Sequence, residues 1–180
     1  GPTMRFDKLT TQFQSALADA QSLALANDNQ YIDPLHLLAA ILNQSDGAGR
    51  GLLERAGVRV AGLKQGVEAA IKRLPQVSGT GGEVQIGREL VNLLNLSEKE
   101  ALKRGDQFVA SEMFLLSLTE GDGRNAGEAG RLAKEAGLAR KGLEVSFPDR
   151  FVGPQVLPQV VRLEIGIGRA RPVEQNVELP

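Results

Sequence analysis

Apolar residues recur along most of the chain at helical spacing. From Thr10 to Ala26, Phe13, Ala16, Leu17, Ala20, Leu23 and Ala24 fall on one stripe, which predicts an amphipathic helix. Thr10 and Thr11 are both suited to cap it, and Gln14 stands three residues after Thr11. Asn27-Asp28-Asn29 ends this helix, and Asp33-Pro34 opens the next with a cap and a proline at the first helical position. The run Leu35–Leu42 is too densely apolar for a surface helix and predicts a buried one. A glycine-rich turn over Asp46–Gly51 precedes a short helix around Leu52–Ala56, closed by Gly57. A fourth helix, Val60–Leu74, places Leu63, Val67, Ala70, Ile71 and Leu74 on one face and stops at Pro75. The stretch PQVSGTGGE (Pro75–Glu83) cannot hold a helix and reads as an exposed linker loop. Helical spacing returns over Gly87–Arg104 through Leu90, Leu93, Leu94, Ser97 and Ala101.

The second half repeats the first. A shift of 77 residues superposes Phe13 on Leu90, Leu17 on Leu94, Ala24 on Ala101, Tyr31 on Phe108, Ile32 on Val109 and Leu38 on Leu115. A shift of 80 superposes RGLLERAGV (Arg50–Val58) on GRLAKEAGL (Gly130–Leu138), with the difference absorbed in a glycine-rich turn. Two units of about 75 residues, each of about four helices, therefore predict an all-α domain from Met4 to Phe147, packed about a pseudo-two-fold. The repeats run over 4–75 and 87–147, with 76–86 between them. Gly1-Pro2-Thr3 reads as a cleavage scar left by a tag. The last helix starts at Leu138 and must stop before Pro148, because proline inside a helix costs about 3 kcal/mol. Residues 148–180 hold five of the eight prolines, and Val161, Leu163, Ile165 and Ile167 alternate with polar residues or glycine at strand spacing.

Composition narrows the chemistry. A net charge of −1 removes the electrostatic case for nucleic acid or an anionic membrane, and no apolar run approaches the roughly 18 residues of a membrane span. The absence of cysteine excludes thiolate zinc sites and cysteine nucleophiles, and His36 is the single histidine. His36 lies in the buried run with Asp33 and Ser45 nearby, and its counterpart in the second repeat is Met113, which favours packing over catalysis. The glycine loop lacks the strand before it and the lysine after it that a phosphate cradle needs, and no GxxxxGK[ST] occurs. The chain is expected to have no catalytic residues, metal site or cofactor of its own.

The repeat, the opening LTTQFQSALADAQSLAL, DPLHLL, LPQVSGTGGEV and KRGDQFVASEMF resemble, in order and spacing, the amino-terminal domain of Clp-type AAA+ unfoldases, most nearly the ClpB disaggregases. The likeness covers Met4–Leu143, and the tail departs from it. It implies a non-enzymatic, substrate-recruiting domain, monomeric in isolation; the cytoplasm is the expected location because no basic stretch with an apolar core follows Met4. Its parent would be a hexameric ATPase whose modules, absent here, use ATP and Mg to thread unfolded or aggregated proteins. In this family a threonine and two acidic residues that fall on Thr10, Asp106 and Glu112 are associated with substrate binding. Leu96, off the main stripe of its helix, and Met113, an adaptable thioether, are candidate apolar contacts beside them, whereas Leu94 and Phe108 are assigned to the core. The rival readings are a domain that docks adaptors or degradation marks for a protease-linked unfoldase, and a stand-alone enzyme using Asp106 and Glu112. A helix-turn-helix nucleic-acid binder is disfavoured by the neutral charge.

Overall fold

A computed structural model describes residues 6–45, 48–78, 83–120 and 126–147. The cleavage scar, parts of the two glycine-rich turns and linker, and the alternating tail lie outside them. After a 3-10 turn (Phe6–Lys8) come α1 (Thr11–Ala26), β1 (Tyr31–Ile32), α2 (Pro34–Asn43), α3 (Ala48–Arg55) and α4 (Val60–Lys72). The second repeat supplies β2 (Gln85–Ile86), α5 (Arg88–Lys103), α6 (Ser111–Ser117), α7 (Gly127–Glu135) and α8 (Arg140–Val145). The class is all-α, as the helical stripes predict.

Local chemistry explains most boundaries. Thr10, not Thr11, caps α1: its hydroxyl accepts the Phe13 N–H at 3.2 Å. Asp33 Oδ2 accepts the Leu35 N–H at 2.8 Å, and Pro34 follows at the first helical position of α2. Every residue from Pro34 to Leu42 is buried, which places α2 at the centre, against α1, α3, α4, α5 and α7. α3 begins at Ala48, earlier than its apolar residues suggest. A Cβ on Gly49 would lie 2.5 Å from Ile41 Cγ2, so this glycine permits close helix packing rather than a turn. α8 begins at Arg140 rather than Leu138, because Gly137, at φ 112°, ends α7 and leaves Leu138 in the connecting turn.

The repeats exchange short strands. β1 and β2 pair in parallel, Tyr31 with Gln85 and Ile32 with Ile86, so the linker ends in a strand rather than a loop. Leu9 pairs with Val109 in the same sense. These pairings are images of each other under the 77-residue shift, since Leu9 corresponds to Ile86 and Ile32 to Val109. The Thr10 N–H donates to the Val109 carbonyl at 3.0 Å, and its counterpart Gly87 donates to Ile32 at 3.1 Å. Each repeat thus pairs the segment entering its first helix with the segment that enters the other repeat's second helix.

The repeats meet again near the turns after α3 and α7. Arg59 N–H donates to the Ala136 carbonyl at 2.9 Å, and the Arg59 guanidinium also donates to the Glu135 carbonyl. A Cβ on Gly137 would stand 3.2 Å from the Gly57 carbonyl oxygen. Gly137→Ala is therefore expected to lower stability by about 1–2 kcal/mol, through the left-handed backbone and this close approach. Gly62→Ala, inside α4 with open space around the new methyl, is expected to raise stability by about 0.5–1 kcal/mol. Urea denaturation midpoints of the two variants, moving in opposite directions, check both.

Candidate functional site

The strand exchange brings the start of α1 against the segment between α5 and α6. Thr10 is bonded through its backbone to Val109, and the Val109 N–H donates to the Lys8 carbonyl at 2.7 Å. Asp106 and Glu112 lie on either side of Val109 in the chain. Asp106 closes α5: its N–H donates to the Ala101 carbonyl at 2.8 Å, after Gly105 has turned the backbone at φ 76°. Glu112 lies in the first turn of α6, whose cap position holds Ala110 and makes no side-chain cap bond. Ser111 does not replace that cap; it is the first helical residue and is buried. Thr10, Asp106 and Glu112 are all partly exposed.

The apolar candidates divide differently from expectation. Met113 is 2 % exposed and belongs to the core, so it offers no adaptable surface contact. It occupies the register of His36, inside a helix buried along most of its length, and that register outweighs the flexibility of its thioether. Leu96 is half-buried and packs against the core rather than standing free. Leu94 is fully buried as expected, but Phe108 is only half-buried. Its counterpart Tyr31 is 49 % exposed, so both repeats hold an aromatic ring at the domain surface here.

His36 has a structural role. It is 0 % exposed; its Nδ1 accepts the Asp33 N–H at 2.8 Å, and its Nε2 pairs with Asn29 Oδ1 at 2.8 Å. Asn29 Nδ2 in turn donates to the Pro75 carbonyl at 3.1 Å, which ties the end of α4 to the end of α1. Burial pushes the imidazole pKa down to about 4, while burial raises that of Asp33. A histidine whose two nitrogens are engaged in this way serves a cap and a strut. Among the described residues no cluster of three or more His, Asp or Glu could hold a metal ion, and no helix is long and apolar enough to cross a membrane.

A groove that the sequence did not announce runs along α1, the helix that Thr10 caps. Gln14, Leu17, Ala18 and Gln21 of α1 face Ile32, Val84 and Ile86 across a cavity of about 400 Å³. Thr10 lies four residues before Gln14 and so begins the same helical face. Ala18 leaves the space open because its side chain is a methyl group. Val84 and Ile86 project to one side because strand residues two apart share a face. Gly87 lets the chain pass close to β1, since a Cβ there would lie 3.2 Å from the Ile32 carbonyl oxygen. Gln14 Nε2 donates to the Leu9 carbonyl at 3.0 Å and joins the groove to the strand exchange. Two sequence signals were available: the alternation Val84-Gln85-Ile86, and a small residue flanked by Gln14 and Gln21 next to the core stripe. The second repeat does not reproduce this lining. Val91, Asn95 and Glu98 replace Gln14, Ala18 and Gln21, and Lys8 Nζ reaches Glu98 Oε2 at 3.6 Å.

Comparison with known proteins agrees with the resemblance in the motifs. The family described as Clp repeat (R) N-terminal domain matches residues 8–136. The chaperone protein ClpB of Vibrio cholerae serotype O1 is 45 % identical over 138 residues, which cover 77 % of this chain and 16 % of that protein. ClpB of Pseudomonas putida is 38 % identical over 141 residues, covering 78 % of this chain and again 16 % of the relative. The chain thus spans about a sixth of the length of these relatives. Among solved structures, the Hsp104 N-terminal domain of Candida albicans superposes with a TM-score of 0.63 at 22 % identity, covering 77 % of this chain and 88 % of that one. A ClpV N-domain in complex with a VipB peptide superposes with a TM-score of 0.64 at 22 % identity, covering 79 % and 90 %. With the family match spanning both repeats, the chain belongs to the Clp repeat N-terminal domain family.

Proposed function

We propose that this domain recruits unfolded or aggregated proteins by holding extended apolar segments in the groove along α1, with Thr10, Asp106 and Glu112 as a polar rim at one end. The observation that carries the reading is the groove itself: an apolar floor of Leu17, Ala18, Ile32, Val84 and Ile86, edged by neutral glutamines and open to solvent. A relative of the same fold was solved with a peptide bound, which supports peptide capture by this scaffold. The acidic rim suits segments in which basic residues accompany apolar ones. In the parent protein the domain would act as a non-catalytic module in the cytoplasm and pass clients to ATP- and Mg-dependent modules in a hexameric ring. A groove this small implies transient contact, with Kd in the micromolar range or weaker, about −8 kcal/mol at best. Several copies in one ring would raise the effective affinity.

Filling the groove tests this. Ala18→Trp, at an exposed position, is expected to weaken binding of an unfolded model protein about tenfold while leaving the melting temperature within error. Asp106→Ala and Glu112→Ala are each expected to weaken it two- to tenfold, or about 0.5–1.5 kcal/mol, more strongly at low salt. Thr10→Ala should show both effects, since it also loses a helix cap worth about 1 kcal/mol. Unchanged client affinity in Ala18→Trp would overturn the groove reading.

A further inference from the structure

The groove is bordered by a strand edge with hydrogen-bonding groups to spare. The β1–β2 ladder uses the Gln85 N–H, which donates to the Gln30 carbonyl at 3.3 Å, and the Gly87 N–H, which donates to Ile32 at 3.1 Å. Strand alternation therefore turns the Ile86 N–H and C=O toward the opposite edge, where no bond to a described residue is found. An occupant that adds a strand there would place every second side chain over Leu17, Ala18 and Val84, so it needs apolar residues at a period of two. The chain contains such a segment. Val161, Leu163, Ile165 and Ile167 alternate with Arg162, Glu164 and Gly166, between Pro158 and Pro172 and outside the described residues.

We propose that residues 161–167 of the chain's own tail dock as a third strand on the Ile86 edge and cover the groove, so that clients must displace them. This deepens the client-binding reading and rests on it for its consequence. Reach is sufficient: the 14 residue steps from Phe147 to Val161 span up to about 46 Å extended. A domain of about 140 residues is roughly 37 Å across. Arg162 and Glu164 would face solvent, and the four apolar side chains would enter the groove. Tethering gives an effective concentration near 1 mM, enough for a weak intramolecular contact to compete with micromolar clients.

The test compares the full chain with its Leu163→Asp/Ile165→Asp variant, which alters no residue of the described domain. In the absence of any client, amide hydrogen exchange at Ile86 is expected to be slowed at least fivefold in the unaltered chain relative to the variant. The amide resonances of Ala18 and Val84–Gly87 should shift between the two, independently of protein concentration. A synthetic peptide of residues 158–171 added to the variant should restore the shifts. Without the peptide, client affinity should be about fivefold tighter in the variant than in the unaltered chain. Equal exchange at Ile86 and coincident spectra would overturn the proposal even if clients bind the groove. Groove shifts without any client binding would support docking while contradicting the recruiting reading. Shifts that grow with protein concentration would assign the contact to a second copy and overturn docking in cis.

Discussion

Acidification from pH 6.5 to pH 4 is expected to remove about 3 kcal/mol of folding stability through His36 alone. The imidazole is enclosed in α2 and held neutral, with its pKa lowered to about 4 by burial. The unfolded chain takes up the proton near the ordinary histidine value of about 6.5. Between these values the unfolded state binds more protons, so this stabilisation is complete above about pH 6.5 and fades as the pH falls toward 4. Asp33 works in the opposite sense. Its pKa is raised by burial, so protonation of its carboxyl favours the folded form at the acid end and offsets part of the loss. His36→Met, which copies the residue at the same register of the second repeat, should flatten the pH dependence between 6.5 and 4. Its absolute stability will also fall, because the Asp33 and Asn29 contacts are lost. The decisive quantity is therefore the slope of unfolding free energy against pH, from urea titrations at pH 7, 5.5 and 4.5. Parallel slopes in the two proteins would contradict the role given to His36.

Arg140→Met is expected to destabilise the second repeat by about 3 kcal/mol. The Glu100 side chain, on α5, is only 7 % exposed and meets Arg140 at the start of α8. Arg140 Nη2 donates to both of its oxygens, at 2.9 and 2.8 Å, while Nη1 donates to Glu120 at 2.8 Å. Without Arg140, the charges left near Glu100 are Lys103 at 3.7 Å and Arg104 at 3.8 Å, too distant to replace a direct bond. A buried carboxylate that loses its partner costs more than the pair contributes, so the Glu100→Met/Arg140→Met double variant should recover most of the loss. Thermal unfolding of the single and double variants measures this. A double variant no more stable than Arg140→Met would show that the packing of Arg140, not the charge of Glu100, carries the effect.

These two residues also show where sequence reasoning succeeds and stops. The stripes of α1, α4 and α5 are legible because the helical period puts core residues at regular spacing, whatever the partner. The 77-residue repeat is legible for the same reason, and it makes His36 and Met113 equivalent. Its implication for Met113 was stronger than the adaptability of a thioether: a position buried in one repeat is buried in the other. The strand exchange leaves almost no local trace, since two-residue strands are too short for periodicity and Ile32 meets Ile86 across 54 residues of chain. Glu100 and Arg140 look like solvated charges on separate helices until the fold closes on them. Thr10, Asp106 and Glu112, named from resemblance, fall around one backbone crossing at Val109. The groove along α1 depends on Ala18 meeting Val84 and Ile86 from far along the chain, a three-dimensional coincidence that no single stretch displays.

If extended apolar segments lie along α1, a backbone chemical-shift titration of the Leu163→Asp/Ile165→Asp chain with an unfolded, apolar-and-basic client peptide reads it most directly. Perturbations are predicted to cluster at Gln14, Ala18, Gln21, Ile32 and Val84–Gly87, and to continue to Thr10, Asp106 and Glu112. Shifts confined to the α7–α8 side of the domain, or equal shifts from a natively folded protein that exposes no extended segment, would contradict it.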